Sequence, residues 1–394
     1  MPSRSAPAGL TPALLATLAL TAAVGPFATD LYLAAFPEMT RELTADPAGV
    51  QATLTSFFLG LGSGQLFFGP LSDRLGRRGP LLAGLGFCLL ASIGCALAPN
   101  LALLIAARFA QGFAGACGPV IARAVIADLA SGRTAAGAFS LLMGVVGLAP
   151  VVAPLAGGLL LGLAGWRGLM WTIAAVTAAM LLSAAIAVPE THPPARRAEL
   201  RTRRREHGSP WRRLRGRAFL GNLLVFAFGF GALMSHVSAS PFVFQVMAGL
   251  DERAYGAVFA SIALSMLCAA WLSARLARRV DPGRLLHLGL AGLAAGAALL
   301  LCLVLSGAGA LWFWPAIALA TFGVGLVMGN ATARAIATVP GAGGAASACL
   351  GAAQFTVGAI VSPLVGAWGE HTALPLGLSM LGCAVLAAAG ALLA

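Results

Sequence analysis

The stretch GPLSDRLGRRGPLL, residues 69–82, sits between two apolar runs, and a degraded version of it, ARLARRVDPGRLL at 274–286, stands at the matching place in the second half of the chain. Each is a short, arginine-bearing hinge between segments of about 20 apolar residues, the length a helix needs to cross ~30 Å of hydrocarbon. Working outward, the same alternation recurs along the whole chain. Twelve spans are expected, near 11–37, 48–70, 80–98, 101–127, 135–162, 166–188, 218–246, 253–276, 284–306, 310–335, 342–367 and 372–393. The fold class read from this is an all-α integral membrane protein of two pseudo-symmetric six-helix bundles. The first bundle is expected at 1–188 and the second at 218–394, joined by an arginine-rich cytoplasmic linker at 189–217. Secondary transporters are often built from such repeats, with the cargo site near the midplane between them.

Composition supports that reading. Of 394 residues 59% are hydrophobic and only 10% charged, with a mean hydropathy of +0.90. A soluble domain carries about a quarter charged residues, so this chain could not cover itself with a surface fit for water. Polarity is too low for disorder, and the 50 glycines and 22 prolines follow no collagen period. The first span is longer than the 7–15-residue core of a signal peptide, and its outer part holds Asp30 and Tyr32, so it is expected to stay in the protein.

All 25 basic residues are arginine, which excludes a Walker A lysine and a lysine Schiff base. GVGLVMG (323–329) lies inside a span with no strand before it and reads as helix packing rather than a nucleotide loop. The seven cysteines fall in apolar segments without CxxC spacing, so no zinc site or disulfide framework is expected. With the N-terminus inside, 21 arginines fall on the cytoplasmic side and three (Arg41, Arg167, Arg253) outside. Both termini are therefore expected in the cytoplasm of a multi-pass cell-membrane protein. The linker, with RTRRREHGSPWRRLRGR, is expected to touch anionic lipid headgroups and not nucleic acid.

An intramembrane charge costs ~2.5–3.5 kcal/mol even on the mildest scale. Only Asp30 among the acids and Arg108 among the bases fall well inside a span. Asp30 precedes Pro37 and Arg108 follows Asn100 by enough helix to put both about 10–12 Å below the outer surface. They read as partners, directly or through water, with Asp30 the group that carries a proton. A static ion pair that fixes helix packing is the competing reading. The remaining cavity candidates are Tyr32, Gln111, Phe226, Leu233, His236, Phe242, Asn330 and Gln354; several share one helical face of span 7. His236 could bind cargo, relay protons or simply be hydrogen-bonded. No metal cluster or cofactor motif is evident, and no Ser-His-Asp set, so an enzyme is not expected.

Four motifs carry a family resemblance. GPLSDRLGRRGPLL resembles the loop 2–3 signature of the major facilitator superfamily, and RFAQG (108–112) its span-4 motif R-x-x-Q-G. APVVAPLAGG (149–158) is similar to the span-5 antiporter motif. TDLYLAAFP (29–37) resembles the opening D-x-Y-L-P-x-x-P of the Bcr/CflA group of drug:proton antiporters. The resemblance implies proton coupling at Asp30 with Arg108, and gating by Gly69, Asp73, Arg74, Gly76, Arg77 and Arg78, with Asp128 a charge partner of Arg77. It also implies a bent, closely packed span 5 at Pro150, Pro154, Gly157 and Gly158. Ala34 departs from the group's proline. Ala22 stands where some drug-exporting relatives carry a second acid, which argues against cationic cargo. The expected function is export of small, mostly neutral apolar compounds of the amphenicol or bicyclomycin kind in exchange for protons, by a monomer. Uptake or metabolite export on the same fold is the alternative, and a membrane enzyme or receptor a distant one.

Overall fold

A computed structural model describes residues 10–130, 132–193, 214–277, 279–339 and 343–394, so most of the linker and the first nine residues lie outside the described residues. Every regular element among the described residues is helical. The first span is split into α1 (Pro12–Ala22), α2 (Val24–Asp30) and α3 (Phe36–Glu42), joined by a short 3-10 turn at Leu33–Ala35. It bends by 41° at the first break. Pro26 accounts for the bend: its ring cannot coexist with the carbonyl four residues earlier and it lacks the N–H that would bond there.

The second to fourth spans are α4 (Pro47–Leu75), α5 (Arg78–Leu97) and the pair α6 (Leu101–Gly115) and α7 (Cys117–Leu129). The break at Ala116 again lies a few residues before a proline, Pro119. The fifth and sixth spans form one long helix, α8 (Gly132–Ala187), whose two arms meet at Gly165 with φ 63° and ψ −178°. That backbone is open to glycine and strained for any other residue.

The second half contributes α9 (Arg217–Pro241), continued by a π-helical turn at Phe242–Met247, then α10 (Glu252–Leu276) and α11 (Pro282–Leu305). It ends with α12 (Phe313–Ala337), α13 (Gly343–Gly366) and α14 (Leu374–Ala391). Among the described residues nine helical segments are long and apolar enough to cross a membrane, ten when the bent first span counts as one. α8 is long enough to cross twice, and α4 supplies the remaining crossing. It is polar for its length because it buries Gln51, Thr53, Ser56 and Gln65. Twelve crossings result.

Helix starts follow from the sequence. Asp46, Asn100, Asp251 and Asp281 each accept from backbone N–H groups of the helix they precede, at 2.7, 3.0, 2.7 and 2.8 Å. The stretch 69–82 is far less of a loop than its motif suggests. α4 runs to Leu75 and α5 begins at Arg78, so only Gly76, at φ 103°, and Arg77 turn the chain. A side chain added at Gly69 would meet open space, so that glycine makes no close approach.

The two halves meet along α4 against α13 and α8 against α10. Three hydrogen bonds that cross between them lie at the end opposite the 69–82 turn. Gln51 Nε2 donates to the Ser238 carbonyl at 3.0 Å, Thr55 Oγ1 to that of Ala359 at 3.1 Å and Gln245 Nε2 to that of Ala34 at 3.0 Å. Phe36 and Phe242 close the same end, their ring centroids 6.1 Å apart. Of the cysteines, Cys88, Cys95, Cys117 and Cys383 are buried while Cys268 and Cys302 lie exposed on the helices' outer surface; all seven are free thiols.

Candidate functional site: a cavity between the halves

A cavity of about 330 Å³ opens between the first and second halves. The bends in the first and fourth spans and the inner arm of α8 shape one wall, through Pro26, Pro119 and Pro150. The other wall comes from α9, α10 and α13, with Phe230, Phe259 and Phe355. Phe58 of α4 stacks on Phe355 at 5.8 Å between ring centroids. Such a mostly apolar space with a few convergent polar groups is the usual form of a small-molecule site.

Asp30 lines this cavity and is only 7% exposed. Its Oδ1 accepts a hydrogen bond from Thr29 Oγ1 at 2.8 Å, and Thr29 also lines the wall. Among the described residues Asp30 is the one carboxylate there. His236 lines the same space, buried, its ring stacked on Phe259 at 5.4 Å. Neither of its ring nitrogens has a hydrogen-bond partner among the described residues. The hydrogen-bonded histidine allowed by the sequence is therefore not what the structure holds.

Arg108 takes a different place from the one its depth suggested. No ion pair joins it to Asp30 among the described residues, and it does not line the cavity. It is fully buried behind the first span. Its Nη1 donates to the Ala28 carbonyl at 2.9 Å and to Gln111 Oε1, and the guanidinium lies over the rings of Tyr32 and Phe57, 4.3 and 4.5 Å from their centroids. The physical reason is close helix packing. A Cβ on Gly112 would overlap the backbone of Phe57, so α6 presses against α4 and turns Arg108 into the seam between α4 and the first span. The carbonyl, Gln111 and the two rings are its contacts in place of a counter-charge, while Nε and Nη2 have no hydrogen-bond partner among the described residues.

Leu233, His236 and Gln354 line the cavity as the sequence led us to expect, and so does Pro150. Five other expected cavity residues do not. Tyr32 is engaged under Arg108 and bonds Thr53 at 3.0 Å, while Gln111 is spent on Arg108 and on Ser92 at 2.8 Å. Asn330 donates to Ser273 Oγ and the Leu326 carbonyl. Phe226 belongs to an apolar cluster near the start of α9, and Phe242 packs on Phe36 beyond the cavity's closed end. Helical spacing assigned their face correctly in part, but the neighbours that occupy a polar group are not visible in one helix.

One charged residue of the cavity wall was missed altogether. Arg123, counted with the cytoplasmic arginines, lies in the middle of α7 and lines the cavity. Without it the arginine count is 20 to three. The break at Ala116, ahead of Pro119, was the available signal that this stretch is not a plain spanning helix.

In the 69–82 turn Arg77 is buried and tied to three side chains. Its Nη1 lies 2.7 Å from Asp73 Oδ1 and 2.8 Å from Ser72 Oγ, and its Nε 3.0 Å from Asp128 Oδ2. Burial by itself lowers an arginine's pKa. Here the hydrogen bonds and charges of Asp128 and Asp73 outweigh it and the net shift is upward. Glu190 accepts from the backbone N–H of Arg77 at 2.9 Å and of Arg78 at 3.3 Å, capping α5. Arg78 reaches back to the Ala185 carbonyl, so the end of α8 is bound to the same turn. Arg74 closes the last turn of α4.

In the span-5 motif the glycines face two partners. A Cβ on Gly157 would overlap the Leu31 carbonyl, and one on Gly158 the Glu252 carbonyl. These two glycines thus bring α8 against the residue next to Asp30 on one side and against α10 on the other. The carbonyl of Pro154 lies against Gly256 at the same contact.

Twelve helical crossings around a central apolar cavity with one acid in its wall define a multi-pass membrane transporter. The Major Facilitator Superfamily model matches residues 18–363. This chain belongs to the Major Facilitator Superfamily and is a transporter, not an enzyme. It is 34% identical to an uncharacterized MFS-type transporter, YdgK, of Bacillus subtilis (strain 168), over 95% of this chain and 93% of that protein. It is 32% identical to a bicyclomycin resistance protein homolog of Haemophilus influenzae, over 94% of this chain and 93% of that protein. The fold is similar to that of the xylose transporter XylE from E. coli in a partially occluded inward open conformation, with a TM-score of 0.75 and 15% identity over 96% of each chain. The resemblance to the superfamily's drug antiporters, seen in four motifs, is borne out by these matches.

Proposed function

We propose that this chain exports small, mostly neutral apolar compounds in exchange for protons by alternating access, with halves 1–188 and 218–394 moving against each other. The observation that carries this reading is Asp30, a buried carboxylate facing an otherwise largely apolar cavity. In such a wall an ionised carboxylate is unfavourable unless compensated, so taking up a proton, or meeting a polar group of the cargo, lowers the free energy of the closed cavity. Opened to the side of higher proton concentration Asp30 gains a proton; opened to the other side, or displaced by cargo, it releases one. The Bacillus and Haemophilus relatives support a bacterial cell membrane as the setting, and the name of the second supports resistance by export. The arginine count supports cytoplasmic termini.

The three cross-half hydrogen bonds and the Phe36–Phe242 contact support a closed outer end in this conformation. The Arg77–Asp73–Asp128 cluster at the other end gates the cytoplasmic side, because the turn between α4 and α5, the end of α7 and the end of α8 can move only together while it holds. Gly157 and Gly158 keep α8 close to both Asp30's helix and α10, so protonation at Asp30 is passed to the contact between the halves.

Exchange of one proton for one neutral molecule moves one net charge, about 2.3 kcal/mol per 100 mV. The test is chloramphenicol accumulation in inside-out vesicles, with the potential collapsed by valinomycin and potassium or the pH gradient by nigericin. Either treatment alone should slow accumulation, and both together should stop it. Indifference to the potential would contradict a one-for-one neutral exchange.

A further inference from the structure

Resting on the export reading above, we propose that Arg123 recognises the cargo, and that beside mostly neutral compounds the cavity admits, and binds more tightly, apolar compounds carrying a strong hydrogen-bond acceptor such as a carboxylate. Three facts carry this. Arg123 lines the cavity beside apolar neighbours on α7 and α8, among them Leu142, Met143 and Val146. Its Nε donates to the Pro119 carbonyl at 2.9 Å, one turn back on its own helix, which fixes the direction of the guanidinium. No carboxylate pairs with it among the described residues, and its two Nη groups donate to no protein acceptor there.

A guanidinium has five N–H donors in a rigid fork that matches a carboxylate two bonds at a time. Four of them have no protein acceptor among the described residues, and the side chain is only partly buried, so they stand open to a cargo that supplies one. His236 gives an independent sign of the same kind. It lines the same cavity, is 1% exposed, and both its ring nitrogens are buried without partners among the described residues, so a cargo that uncovers them finds a second polar group there.

Position adds a role. Arg123 is five residues from Asp128, about 7.5 Å along the helix, so it stands at the Arg77 end of the cavity. Asp30 and His236 stand nearer the closed end, close to where the cross-half hydrogen bonds lie. A cargo entering from the Arg77 side therefore meets a cation first and the proton-carrying carboxylate deeper in. The charges that line the cavity cancel when Asp30 is ionised and leave one positive charge when it is protonated. Permanently cationic cargo finds no acid beyond Asp30, whose charge Arg123 already offsets, since Ala22 also lines the wall without a charge.

The experiment is equilibrium binding to the purified full chain in lipid nanodiscs, with nalidixate and its ethyl ester, at a pH where the acid is fully ionised. The pair shares one ring system and differs in the carboxylate. The wild type should bind nalidixate at least tenfold more tightly than the ester. Arg123→Gln should abolish that difference, and Arg123→Lys, which keeps the charge but loses the fork, should retain part of it. Size-exclusion profile and thermal unfolding check each variant's fold, and the wild-type preference is informative without any variant. Equal binding of the two probes by the wild type overturns the proposal and leaves the export reading standing. A preference that persists in a folded Arg123→Gln protein also overturns it. If neither probe binds while chloramphenicol does, the proposal falls and the export reading stands.

Discussion

Asp30 and Arg108 stand at similar depth in the first and fourth spans, and the sequence reads them as partners: one acid and one base where charge is expensive. The structure separates them. Asp30 faces the cavity with Thr29 as its hydrogen-bond donor, whereas Arg108 is sealed behind the first span by Gln111, the Ala28 carbonyl and two aromatic rings. A charge that faces a cavity can change state as the cavity opens and closes. A charge enclosed by fixed partners holds helices in place. Similar depth therefore does not imply shared function, and the two should respond to substitution in opposite ways.

The largest expected difference is in stability. Arg108→Ala takes a donor from the Ala28 carbonyl, leaves Gln111 Oε1 with only the Cys95 thiol at 3.9 Å, and empties the space between Tyr32 and Phe57. Each stranded buried acceptor costs about 1–3 kcal/mol, so the variant should unfold at a clearly lower temperature and yield less folded protein. Asp30→Asn removes a buried charge and keeps the shape, so its unfolding temperature should equal or exceed the wild type's. If Arg108→Ala were as stable as Asp30→Asn, the enclosed site would not be structural.

A smaller effect is expected at the 69–82 turn. Asp128→Asn keeps the volume but weakens the 3.0 Å contact with Arg77 Nε, and Thr191, 3.2 Å from the same Oδ2, loses an ionic acceptor. Cysteine-labelling of a residue in the cavity from the cytoplasmic side should become faster by a few-fold, with binding of cargo unchanged. Unaltered labelling would remove this cluster from the gate.

The smallest concerns cavity and non-cavity amides. Gln354 lines the cavity, while Asn330 is spent on Ser273 and Leu326. Gln354→Ala should shift the relative affinities of a panel of neutral compounds by about 1 kcal/mol, the net value of one hydrogen bond. Asn330→Ala should change stability by a similar amount and leave those ratios alone. The reverse pattern would mean that the boundary of the site is misplaced.

How much of this was legible in the sequence follows the same division. Spans and hinges were, because hydrocarbon thickness sets a local signal of about 20 apolar residues. The Arg77–Asp128 contact was foreseen through the motifs, and Asp30 through its solitude inside a span. What was not legible depends on which helices approach most closely. Gly112 allows α6 to carry Arg108 away from Asp30, and the break before Pro119 brings Arg123 to the cavity wall; neither outcome follows from hydropathy or spacing. Tyr32, Gln111 and Asn330 were placed in the cavity because they are polar and buried. Their partners, on other helices or on a preceding turn, are what removed them.

The central claim, that Asp30 couples cargo to protons, is tested most directly by comparing two modes of transport in proteoliposomes holding wild type or Asp30→Asn. One is chloramphenicol accumulation driven by an imposed pH gradient; the other is exchange of labelled for unlabelled chloramphenicol at equal pH. The variant should lose accumulation entirely while exchange continues at a rate comparable to the wild type's. Accumulation against a gradient by Asp30→Asn would show that another group carries the proton and would contradict the account.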